Sequence, residues 1–137
     1  MINAISTAIS GLAACMKRLE TSASNVANFA TTGSLEEGGK PPYSAQVVQQ
    51  TTISDQNGNA LGVKAVSKLK EPAFVPAFDP GSPFADSEGN IGVPNVNLAE
   101  EAVNMKIAEF AYKANLNVIK VSEEMQEDLL RTFDEEV

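Results

Sequence analysis

Histidine and tryptophan are absent from these 137 residues, and cysteine occurs once, at Cys15. Without histidine, no Ser-His-Asp or Cys-His site and no His-ligated zinc can form within the chain. A lone cysteine excludes an intrachain disulfide. With no base beside it beyond Lys17 and Arg18, Cys15 reads as a small packed residue, not a nucleophile. No Gly-rich phosphate loop and no paired-acid cluster is present, so the chain is not expected to be an enzyme, and no cofactor, metal or small-molecule substrate is expected. Asp79, Asp86 and Glu88 lack the ligand count of a calcium loop and read as turn-capping acids.

Basic charge is also scarce. The formal net charge is −8. It runs from +1 over residues 1–35, through −3 over 36–98, to −6 over 99–137. Phosphate neutralisation needs clustered Lys and Arg, so nucleic acid is not an expected partner, nor is an acidic membrane surface. No apolar run reaches the ~18 residues of a membrane span. The first charge is Lys17, too far in for the basic n-region of a secretory leader, so export, if it occurs, is expected to use another route.

What is present is helical periodicity. Ile5, Ile9, Leu12, Met16, Leu19, Ala23, Val26 and Ala30 step by four and three, an a/d seam of more than three heptads. The spacing predicts a helix over about residues 3–30. Most other positions there are small (Ala, Ser, Thr, Gly11), which lets neighbours approach on several faces. Gly11 and the Ser and Thr residues make the helix weak in isolation, so it is expected to need partners. Asn25 and Asn28 read either as a recognition element at a subunit contact or as plain helix capping. Gly33 supplies a stop in the left-handed C′ conformation.

Residues 34–94 read as strand and loop. Tyr43–Ser54 fits a strand, Asn57-Gly58 a hairpin turn, and Leu61 to Leu69 the returning strand. Pro72, Pro76, Pro80 and Pro83 preclude a helix next, and Phe74, Phe78 and Phe84 are expected to pin that extended stretch to a surface. Asn97 then caps a second long helix over about 97–131, with Glu100 at N3 as a capping-box variant. Its inner stripe is Ile107, Ala111, Ala114, Val118, Val121 and Met125, continued by Leu129. Tyr112, Leu116 and Ile119 form a second stripe, and two stripes imply more than one packing partner. Asn115 adjoins the inner stripe and is expected to hydrogen-bond across helices. Glu123, Glu124, Glu127 and Asp128 read as a solvated face.

The stretch AISGLAACMKRLETSASNVANFATTG (Ala8–Gly33), the PPYSAQVV at Pro41–Val48, and DPGSPFADSEGNIGVPNVNLAEEAVNMKIAEFAYKANLNVIKVSEEM (Asp79–Met125) together resemble the flagellar basal-body rod family, in its C-type proximal branch. The matching positions are Asp79, Pro80, Gly81, Pro83, Ala85, Asp86, Gly89, Pro94, Asn95, Val96, Glu101, Met105, Tyr112, Ala114 and Asn115. Ser82, Asn90, Thr32 and Ser34 depart from the pattern, which bears on loop contacts.

The resemblance implies a structural subunit of the bacterial flagellum, exported by the flagellar type III apparatus and polymerised through paired terminal helices. Its partners would be other copies of itself, other rod subunits, and proteins at the membrane-ring and export-gate junction. The expected architecture is mainly α. A coiled-coil core of an assembly helix (1–33) and a C-terminal assembly helix (95–137) flanks a β-rich and Pro-rich middle (34–94). Packing is assigned to Ile5, Ile9, Leu12, Met16, Leu19, Val26, Ile107, Ala111, Ala114, Val118, Val121 and Met125, within and between subunits. Asn25, Asn28, Asn95 and Asn115 are taken as polar assembly contacts. A charge at Leu12 or Val118 is expected to abolish assembly. The rival reading is a cytoplasmic helical adaptor or export-chaperone-like module.

Overall fold

The computed structural model describes residues 2–134. The last three residues of the predicted C-terminal segment lie outside that range. Helix α1 spans Ile2–Asn28 and helix α2 spans Leu98–Asp134. Between them lie strands β1 (Gln46–Ser54), β2 (Ala60–Leu69), β3 (Phe74–Phe78) and β4 (Asn90–Pro94). They form two separate two-stranded antiparallel sheets, β1–β2 and β3–β4. The helices and the first hairpin follow the sequence expectation; the second sheet does not. No described helix is long and apolar enough to cross a membrane.

The helices run antiparallel. Asn25 of α1 meets Glu101 of α2, and Gly11 of α1 meets Asn115. Stepping back fourteen residues on one helix thus matches fourteen forward on the other. At 1.5 Å per residue α1 is about 40 Å long and α2 about 55 Å. The register places the start of α1 opposite about residue 124 of α2, so roughly the last ten residues of α2 project beyond the pair.

The β1–β2 hairpin lies along α1, held by small polar side chains. Thr7 Oγ1 donates to the Leu61 carbonyl at 2.9 Å, and the Val63 N–H donates to Ser10 Oγ at 3.0 Å. Thr21 Oγ1 and Ser67 Oγ are 2.6 Å apart. A Cβ on Gly62 would strike Ser10, and one on Gly11 would strike Asn115. The small residues of α1 thus admit two neighbours, a strand on one side and a helix on the other. The hairpin turns where expected but one residue earlier in register: the Gly58 N–H closes on the Asp55 carbonyl at 3.1 Å, so Gln56 and Asn57 are central, Gly58 follows at φ +83°, and the Asp55 carboxylate accepts the Asn57 and Asn59 N–H groups, each at 2.8 Å.

Three local expectations need correction. Gly33 is not a left-handed cap: α1 ends five residues earlier, at Asn28. Gly33 instead forms a β-bridge with Gly92, tying the exit of α1 to β4, and the Lys40–Pro42 backbone packs where a side chain would stand. Part of the Pro-rich segment, Phe74–Phe78, is a strand, because Pro76 sits in a two-stranded sheet where its missing N–H costs little. Within the segment Phe78 is exposed, its ring lying over Gly89, while Phe74 and Phe84 are half-buried. Asn97 does cap α2, its Oδ1 accepting the Ala99 N–H at 3.0 Å and the Glu100 N–H at 3.3 Å. Glu100, however, turns outward to Lys70, 3.4 Å away, and does not close a capping box.

The core is small in every sense. Ala8, Ala14, Cys15, Ala45 and Ala108 are buried, and Ile91 is the one bulky aliphatic side chain among the buried apolar residues described.

Candidate functional site

The two helices meet through residues that a hydrophobic pattern passes over. On α1 the inner face reads Ala8, Gly11, Cys15, Ser22 and Asn25. On α2 it reads Glu101, Ala108, Asn115 and Ser122, spaced by seven. All except Gly11 and Asn115, which are half-buried, are buried. Small side chains bring the backbones close, and this close approach holds the pair.

The predicted seams are therefore not the buried contact of α1 on α2, and most of their residues lie beside it. Ile9, Met16 and Leu19 are exposed, Met16 by 60%, while Ile5, Leu12 and Val26 are half-buried. On α2, Ile107, Ala114, Val118, Val121 and Met125 are exposed and Ala111 is half-buried. At 100° per residue these stripes sit about a quarter turn from the contact face. The reason is size: the bulky residues have the strongest periodicity, but the close pair has room only for small ones. The α2 stripe, joined by Val103 and Phe110, forms an apolar face without a charged side chain between residues 103 and 125.

The four asparagines take different roles. Asn25 is the largest fully buried side chain described, 1% exposed. Its Nδ2 donates to the Gln46 carbonyl at 2.8 Å and to Glu101 Oε1 at 2.6 Å. Its Oδ1 accepts the Gln46 N–H and the Tyr43 hydroxyl, each at 3.0 Å. Both donors and both lone pairs of the amide are used. Because the Tyr43 proton goes to Asn25, Ser24 Oγ, 3.0 Å from Tyr43 Oη, is the donor there. Asn25 is thus an intramolecular clamp joining α1, β1 and α2, and is not available as a subunit contact. Asn28 donates to the Ser24 carbonyl of its own helix at 2.9 Å, which is capping. Asn95 donates to the Pro72 carbonyl at 2.9 Å. Asn115 donates to Ala111 O of its own helix at 2.8 Å; it touches α1 by packing on Gly11, not by the expected interhelix hydrogen bond. Tyr43, Gln46 and Glu101 were missed as partners. Each lies far from Asn25 along the chain, 18, 21 and 76 residues away, so no local pattern on α1 points to them.

On the flank away from the hairpin, α1 and α2 enclose an apolar groove of about 630 Å³. Cys15, Met16, Leu19, Met105, Ala108 and Tyr112 line it, and Lys106, Glu109 and Lys113 rim it. Burial pushes the Cys15 thiol up, partly offset by Arg18, so it is no thiolate nucleophile. Glu109 accepts from Lys113 at 2.6 Å and from Lys106 at 2.9 Å, and the two ammonium groups hold it down to about 2. The sign follows: this cluster's contribution is complete above about pH 4.5 and is lost as pH falls through about 2. A carboxyl ¹³C titration should find Glu109 among the last acids to protonate, and Lys113→Ala should raise its midpoint. An ordinary midpoint in the parent protein would refute the cluster. Among the described residues no group of three or more His, Cys, Asp or Glu is placed to hold a metal.

Both ends of this architecture have known counterparts. Residues 5–33, nearly all of α1 and its exit, match the family described as flagella basal body rod protein. Residues 87–132 match the C-terminal region of flagellar basal body rod FlgEFG proteins. Along the chain, the flagellar basal-body rod protein FlgC of Salmonella typhimurium is 35% identical over 127 residues, covering 91% of this chain and 92% of the relative. The chain belongs to the FlgC family. The Agrobacterium fabrum FlgC is 34% identical over 85% of this chain and 83% of its own length. That of Aquifex aeolicus is 30% identical over 98% and 96%. Membership makes the chain a structural component of the flagellar basal-body rod and not an enzyme. Asn25, Tyr43 and Glu101 are the side chains of the clamp.

Proposed function

We propose that this FlgC-family chain enters the rod through the helix faces it leaves uncovered, pairing with other copies of itself and with other rod subunits. The carrying observation is the contrast within α2: a small, polar face buried against α1, and beside it an exposed apolar face from Val103 to Met125. An uncharged stripe of that length on a folded chain is the mark of a partner surface. The fourteen-residue match between the helices, two heptads on each, supports a coiled-coil-like core. Ile5, Ile9, Leu12, Met16, Leu19 and Val26 serve the same purpose on α1. On this reading the chain reaches the rod through the flagellar type III apparatus, and one end of the assembly meets proteins of the membrane-ring and export-gate junction.

Cryo-tomography of basal bodies in cells lacking this gene tests the role. The rod should be missing while the membrane ring and export gate remain. Complete rods in those cells would overturn the reading and favour the cytoplasmic adaptor.

A further inference from the structure

The inner face of α2 changes character where it passes the start of α1. Against α1 its sevenfold positions are Glu101, Ala108, Asn115 and Ser122; the next is Leu129. Past the start of α1, Met125, Leu129, Leu130 and Phe133 are all exposed, Phe133 by 62%. A face that is small where a helix covers it becomes large where nothing in the chain does. These side chains do not suit another close helix contact of the α1 kind; they suit a groove. The flank of the pair offers one of about 630 Å³.

Charge agrees. Residues 121–137 carry seven acidic side chains against Arg131 alone. The groove rim carries Lys106 and Lys113 with Glu109 between them, one positive charge in surplus. The chain cannot serve itself: along α2, Leu130 lies about 30 Å from the middle of the groove at 1.5 Å per residue.

We infer that the projecting end of α2, Met125 to Phe133, seats in the α1–α2 groove of a second copy of this chain. Tail and groove are different surfaces, so the contact is heterologous and propagates from copy to copy without closing on a pair. The inference rests on the assembly reading above and names which surfaces meet.

The test uses the full chain in its own host deleted for the gene. A Cys15→Ser background carries Met16→Cys in the groove and Leu130→Cys in the tail. Mild oxidation of isolated basal bodies should give dimers, trimers and higher multimers of this chain, absent with either added cysteine alone. Basal bodies that yield no multimer, or a cross-link only to a different protein, overturn the inference while leaving the rod role intact. Should the cysteine pair prevent assembly, charge reversal decides. Lys106→Glu with Lys113→Glu should abolish swimming, and adding Glu127→Lys with Asp128→Lys should restore it. Swimming unaffected by the first pair, or not restored by the second, overturns the inference. Intact rods in the deletion strain would instead remove the assembly reading, and the inference with it.

Discussion

Asn25→Ala should cost about 3–5 kcal/mol of stability, the scale of leaving one buried carboxylate and several partly buried polar groups without partners. The truncation strands the Glu101 carboxylate, which is 7% exposed, without its 2.6 Å donor. It also strands the Gln46 N–H and C=O and the Tyr43 hydroxyl, groups that cost about 1–3 kcal/mol each when fully desolvated. Gln46 and Tyr43 are half-buried, so water recovers part of that loss. A domain of this size has only about 5–15 kcal/mol in total, so the variant should be largely unfolded at modest urea. Urea denaturation followed by far-ultraviolet circular dichroism reads the change. Glu101→Gln is the control. It keeps an oxygen for the Asn25 amide and removes the charge, so it should cost far less than Asn25→Ala. Asn25→Asp adds a second carboxylate beside Glu101. The shared site then raises one folded-state pKa, and the variant should be most stable at acidic pH and lose stability as pH rises. A loss under about 1 kcal/mol for Asn25→Ala would mean that the clamp does not hold the fold together.

The same residue shows where sequence reasoning reached and where it stopped. Both helices were legible because apolar periodicity over more than twenty residues survives any choice of partner. Asn97 and Asn57-Gly58 were legible because capping and tight turns are local, decided within three or four residues. Asn25 was marked as unusual by its place near a helix end, but its partners lie 21 and 76 residues away, and no local rule reaches them. Gly33 was misassigned for a related reason: the glycine is required by the Lys40–Pro42 backbone and the bridge to Gly92, not by the helix before it. Strand β3 was missed because prolines argue against a ladder, and only the two-stranded context makes Pro76 tolerable. The largest miss concerned which stripe faces inward. Hydrophobicity identified the faces that seek a partner correctly as apolar, but the intrachain partner had been met by glycine, alanine, serine and asparagine. The bulky stripes were then left largely uncovered by the chain itself.

That division makes Val118→Asp the sharpest test of assembly as distinct from folding. Leu12 is half-buried, so a charge there would confuse the two effects. Val118 is 45% exposed and lies on the uncharged face between Ala114 and Val121. Surface substitutions of this kind shift stability by about 0.5 kcal/mol, so the urea midpoint should barely move. In a subunit contact the outcome differs. The variant loses roughly 1.5–3 kcal/mol of apolar burial and forces an unpaired carboxylate into a site with no cation between residues 114 and 119. The penalty recurs at every copy. Swimming should therefore be lost while the purified protein keeps the parent's circular dichroism and midpoint, and Val118→Ile should leave both intact. A Val118→Asp strain that swims would show that this face is not a subunit contact. A variant that neither swims nor folds would place Val118 in the chain's own packing, against its exposure. Only loss of swimming with the fold preserved is consistent with a chain whose small residues hold it together and whose large ones join it to its neighbours.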